Sequence, residues 1–200
     1  VAERLFAERG IHGVSLREIA EEAGQRNNAA VQYHFGGRDD LVRVLFERGF
    51  VRLDRRRAGI LAELDAAGRG SELEGLVRAL VVPFTEAMGT RSGGTWIRLV
   101  ARMHEDPRFN PFGQNSDDRH PYTAGEEVTA ATREVAVRIQ AALGLDRAQA
   151  MARFFITTTM VVHVVADREA LAVAGAAGTI EPPGALATSL VQAALAVLRR

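Results

Sequence analysis

The chain has 200 residues, 47% of them apolar, and its 25 basic residues balance 25 acidic ones. Every basic residue is arginine and there is no cysteine, which excludes a disulfide framework, a thiolate metal site and a cysteine nucleophile. The size admits one large domain or two small ones around a real core, and the neutral total argues against a basic coat over the whole surface while leaving room for a local phosphate-binding face.

The pattern is helical nearly throughout, with no strand alternation and no internal repeat. Val1, Leu5 and Phe6 form one face of a first helix, closed by Gly10. The opening residues therefore read as a helix and no signal peptide is expected. Ser15 caps a second helix and Glu18, three residues on, completes an S-x-x-E capping box. The inward face of that helix is Leu16, Ile19, Ala20 and Ala23, and Gly24 supplies the left-handed residue that ends it. A third, short helix spans about Arg26 to Gln32, and Gly36-Gly37 breaks the chain again. Asp39 and Asp40 suit the positive end of a fourth helix, whose stripe begins with Leu41, Val44, Leu45 and Phe46 and extends toward Leu64.

Beyond the break at Asp65 to Gly70, helices are expected at Ser71–Met88, Gly94–Glu105, Ala124–Leu143, Arg147–Leu171 and Gly184–Leu198. The segment Pro107–Ala124 reads as a long loop, a lid over the interior or a disordered stretch. No uninterrupted apolar run reaches the roughly 20 residues that cross a bilayer; Phe154 to Ala166 is too short and carries His163. The expected class is all-α, with about nine helices and no membrane partner. Residues 1–48 form an N-terminal three-helix, helix-turn-helix domain, and residues 49–200 a larger C-terminal domain.

Leu16 to Phe35 is the motif that carries chemistry. A helix, a tight turn and a second short helix place one helix against a DNA groove while the other holds it. The flanking residues add specificity: Leu5-Phe6-Ala7-Glu8-Arg9-Gly10, Ser15-x-x-Glu18-Ile19-Ala20, Ala23-Gly24, Tyr33-His34-Phe35, Arg38 and Leu41. Together they resemble the TetR/AcrR family of bacterial transcriptional regulators over about the first quarter of the chain. Between Gly24 and Phe35 the chain reads QRNNAAVQYH, one residue longer than the usual family spacing, with Asn27 or Asn28 as the cap of the short helix.

The resemblance implies a homodimeric DNA-binding regulator in the cytoplasm, a repressor, holding a palindromic double-stranded operator and released by a small-molecule effector. Arg26, Asn27, Asn28 and Gln32 are residue types suited to base edges. Tyr33 and His34 suit phosphate oxygens, and Arg17 and Arg38 are further phosphate candidates. Phe35 is expected as a core plug, and the run Arg48, Arg52, Arg55, Arg56 and Arg57 as a solvated face. The last two helices offer a dimer face, with Ala148, Ala152, Phe155, Thr159 and Val162 on one and Leu186, Leu190, Ala194 and Val197 on the other.

Bulky residues concentrate in the middle helices. Phe84, Met88, Trp96, Leu99, Met103 and Phe155 are expected to line an apolar ligand pocket, with Phe154 and Met160 nearby. His104, Thr159 and His163 would supply its polar groups, joined by Thr158. Each of these residues is also ordinary core material. No pair among His104, His120 and His163 has the spacing of helical metal ligands, so no metal and no cofactor are expected. No catalytic triad, nucleophile elbow, phosphate loop or dinucleotide fingerprint is present, so the chain is not read as an enzyme. The alternatives are a helical DNA- or partner-binding protein without effector and, last, an enzyme that turns over the bound molecule.

Overall fold

The structure is a computed structural model that describes residues 1–25, 33, 35–106, 109, 129–176 and 181–200, the side chains of Arg91 and Pro183 excepted. Eight helices occur among the described residues: α1 (Ala2–Arg9), α2 (Leu16–Glu22), α3 (Arg38–Ala66), α4 (Leu73–Met88), α5 (Arg91–Glu105), α6 (Ala130–Leu143), α7 (Arg147–Val173) and α8 (Pro183–Leu198). The ninth expected helix, Arg26 to Gln32, and the loop around Pro107–Ala124, apart from Phe109, lie outside the described residues.

Local chemistry sets the short helices at the N-terminus. Ser15 Oγ accepts from the Glu18 amide at 3.1 Å, and the Ser15 amide donates to Glu18 Oε2 at 2.7 Å. Two amide donors at the start of α2 are thus satisfied reciprocally. Gly24 ends the helix at φ 70, and the Gln25 amide donates back to Ala20 O. The Glu18 carboxyl is held down at about 2 by the Ser15 backbone amide first and Arg9 next.

α3 runs unbroken for 29 residues. It buries Leu41, Val42 and Phe46 near the first helices, then Phe50, Leu53 and Leu61 farther on. One face of one helix therefore serves both ends of the molecule, and the helix has no break between Arg48 and Arg57. Gly49 lets Trp96 approach α3 closely: a Cβ there would collide with the Trp96 indole. Trp96 instead lies flat on α3 and donates its Nε1 proton to Phe46 O at 3.1 Å.

α4 lies at the centre of the helix packing. Leu76, Val77, Ala79, Leu80 and Val81 are fully buried, with α3, α5, α6, α7 and α8 around it. α6 begins at Thr129, whose side chain makes no cap bond. The cap comes from α3: Asp54 Oδ2 accepts from the Ala131 amide at 3.0 Å, and Oδ1 accepts from the Thr132 amide at 2.7 Å. A carboxylate at a helix N-terminus is doubly favoured, by the free amides and by the dipole.

α7 corrects one expectation. Its 27 residues make it long and apolar enough, by length and composition, to cross a bilayer. Counting only uninterrupted apolar runs missed this, because alanine and threonine keep the average apolar around the polar residues. Here α7 packs against α5 and α8, with Val161, Val162 and Val165 buried.

Candidate nucleic-acid interface and ligand cavity

The DNA candidates fall in two groups. Arg26, Asn27, Asn28, Gln32 and His34 lie outside the described residues. Arg17 extends from α2 with its side chain 75% exposed and pairs with Glu21 at 2.8 Å. Tyr33 is 87% exposed. Arg38 opens α3, its Nε screened from solvent and without a hydrogen-bond partner among the described residues.

Phe35 departs from the expected core plug. It is 40% exposed and lies on a surface groove with Ala2, Ile19, Ala23 and Leu41. Phe6 on α1 is fully buried instead, whereas Phe46 packs on Phe50 and Trp96 at the cavity.

The basic run of α3 divides. Arg56 pairs with both oxygens of Glu86 at 2.8 and 2.9 Å, tying α3 to α4, and Arg48 and Arg52 line the surface groove. Arg57, expected in solvent, is instead 1% exposed. Its Nη1 donates to Thr132 Oγ1 at 2.7 Å and its Nη2 to Leu80 O at 3.2 Å. Thr132 Oγ1 in turn donates to Asp54 Oδ1 at 2.5 Å, so one hydroxyl links the buried cation to the buried carboxylate. The guanidinium carbon lies 5.1 Å from the Phe84 ring centroid and 5.7 Å from that of Phe50. Burial of a charge on this scale needs such partners. Sequence alone missed it because 55–57 are all arginine and only the helical phase, three residues on from Asp54, separates the inward one.

Next to this network lies a small apolar cavity of about 80 Å3, lined by Phe46, Phe50, Arg57, Phe84, Trp96, Val100, His104, Thr132, Phe154, Thr158 and Val162. Of the expected pocket residues, Phe84, Trp96 and His104 are brought together here, with Phe154 and Thr158 beside them. Leu99 and Met103 are fully buried in the core, and Met88, Phe155 and Thr159 are partly buried outside the cavity lining. Thr159 Oγ1 is screened from solvent without a hydrogen-bond partner among the described residues.

His163 lies outside the cavity lining as well. It lines a surface cleft with Arg98, Arg102, Glu105 and Asp167, its ring 5.8 Å from that of His104. Burial, and secondarily His163, push the His104 imidazole down to about 4, so it is neutral at neutral pH.

The contribution of α3 was the part hidden in the sequence. Phe46, Phe50 and Arg57 are wall residues, alongside Val100, Thr132 and Val162. A signal existed in the spacing of Phe46 and Phe50, one turn apart, but the same spacing serves any buried stripe.

The dimer candidates also divide. Ala148 and Ala152 are exposed and Phe155 and Thr159 partly so, while Val162, Leu186, Leu190 and Ala194 are buried within their own subunit. Met151 and Ile156, 49% and 52% exposed, add apolar surface to α7.

Residues 1–45 match the family model described as bacterial regulatory proteins, tetR family. No curated protein matches the chain.

Proposed function

We infer that this chain, a member of the TetR family of DNA-binding transcriptional regulators, works as a homodimeric repressor released from its operator by a small, largely apolar molecule. The observation that carries this reading is α3. The helix starts in the matched head at Arg38, runs to Ala66 without a break, and supplies three wall residues of the cavity. A change of cavity shape therefore has a rigid route to the position of the head.

Residues 1–48 would be the reading head and 49–200 the effector and dimer domain. One short helix reads few base pairs, so two heads would engage half-sites about 34–36 Å apart or a multiple of that. The α7 face carrying Ala148, Ala152, Phe155 and Thr159 is the dimer surface, joined by the outer side of α8. Arg17, Tyr33, His34 and Arg38 would position the head on phosphates, and Arg26, Asn27, Asn28 and Gln32 would read bases. Ligand lowers DNA affinity only by binding the two head spacings unequally.

Selection of duplexes from a random pool, followed by anisotropy at moderate salt, tests this. Two chains per palindromic duplex and a clear margin over random DNA are expected; equal affinity for all duplexes contradicts the reading. Within that assay Tyr33→Ala weakens every duplex alike, whereas Asn28→Ala costs about 1–3 kcal/mol at one position and relaxes the preference there.

A further inference from the structure

The apolar cavity is smaller than its aromatic walls suggest. An apolar cavity that takes up benzene measures about 150 Å3, and the space between Trp96 and Phe84 is about 80 Å3. Outside it, between α6 and α7, an apolar groove of about 320 Å3 runs past Val137, Met151 and Leu198. One side chain, Phe154, lines both spaces. It is half-buried and stands in the wall of each. Thr158, one turn on, is turned back on the helix and donates to Phe154 O at 2.9 Å, so no threonine hydroxyl competes for the path. Swinging the Phe154 ring would join the two spaces into a volume within the usual range for ligand sites, about 300–1,000 Å3.

Arg57 and Thr132 are held by partners at the cavity wall, and the His104 imidazole beside them is kept neutral by burial. Arg57 is engaged by Thr132 and Leu80 O, and Thr132 by Asp54. The Arg57 charge is already offset by the Asp54 carboxylate through the shared hydroxyl. An incoming carboxylate would shed its water to enter a site that already holds one. A neutral ring would meet the faces of Phe46, Phe50, Phe84 and Trp96 at no such cost.

We propose that the cavity, enlarged when the Phe154 ring swings aside, takes a small neutral aromatic molecule, about one ring in size, and that Phe154 is the door through which it passes from the groove between α6 and α7. This rests on the effector-binding role given above, but it is tested without DNA. Toluene and benzoate are the probes, titrated into the full chain by calorimetry, with exchange rates from ligand-observed NMR.

Toluene binds at least about tenfold more tightly than benzoate. Val162→Phe fills the cavity and lowers toluene affinity about tenfold or more; if that variant does not fold, Val100→Leu fills less and gives a smaller loss of the same sign. Phe154→Leu speeds toluene exchange about tenfold, while Leu171→Ala, exposed on the same helix, leaves it unchanged. Benzoate binding as tightly as toluene overturns the ligand class. Toluene affinity indifferent to both filling variants overturns the site, and exchange indifferent to Phe154→Leu overturns the door. Operator release is scored separately: toluene that binds inside without changing DNA affinity supports the cavity assignment and counts only against effector release, whereas no toluene binding at all overturns the assignment and leaves DNA binding intact.

Discussion

The head and the cavity are built on opposite plans. Most polar contacts of the head are between neighbours in sequence: a capping box across three residues, a glycine turn, and ion pairs such as Arg9 to Glu18 at 2.8 Å, although α1 also packs on α5 and His12 meets Asp106 at 2.8 Å. The cavity is held by strangers: Asp54 caps a helix that begins more than seventy residues later, and Arg57 reaches Leu80 and Thr132. Local interactions are exposed and individually weak. The distant ones are buried, so removing either partner leaves a charge or an amide stranded. The difference implies that the head is adjustable, while the cavity end is cooperative with the core.

Asp54→Ala gives the largest expected loss. It strips the cap from α6 and leaves Arg57 buried without its balancing charge, at about 3–5 kcal/mol. Urea denaturation of the full chain measures it. A loss below about 1 kcal/mol would mean that the network is ornamental and that the two regions are alike.

An intermediate effect belongs to His104. Its imidazole protonates near 6.5 when unfolded and at about 4 when folded. Between those values the unfolded chain binds the extra proton, so stability falls as pH drops from 6.5 toward 4 and this contribution levels off below. The difference between the native chain and His104→Leu isolates the group from the carboxylates that titrate nearby, and reaches up to about 3 kcal/mol. Parallel pH profiles for the two proteins would show that the imidazole is open to water.

The smallest effect is in the head. Ser15→Ala removes one half of the capping box and costs about 0.5–2 kcal/mol. A loss as large as that of Asp54→Ala would erase the contrast between local and distant support.

The same contrast explains what could be read from the sequence. The boundaries of α4, α7 and α8 follow from breakers and periodicity and agree to within a few residues, and the capping box at Ser15 is legible residue by residue. The family resemblance lies in the same local signals, since Ser15 and Glu18 open α2 and Gly24 closes it. The cavity was only half legible. Phe84, Trp96 and His104 stand out by type, whereas Leu99 and Met103 have the same character and face the core. Arg57 was misread as solvated, because the partner that makes burial tolerable, Thr132, lies in a helix whose position no local pattern encodes. Phe35 was misread the other way, since an aromatic residue at a family position says nothing of whether Phe6 leaves it room.

The central claim is that α3 couples the cavity to the head, and coupling is reciprocal. The most direct test is the toluene affinity of the full chain, measured alone and again when saturated with its selected operator duplex. The account predicts that DNA weakens toluene binding by about 5–150-fold, the same factor by which toluene weakens DNA binding. Equal toluene affinity in the free and DNA-bound protein would contradict it.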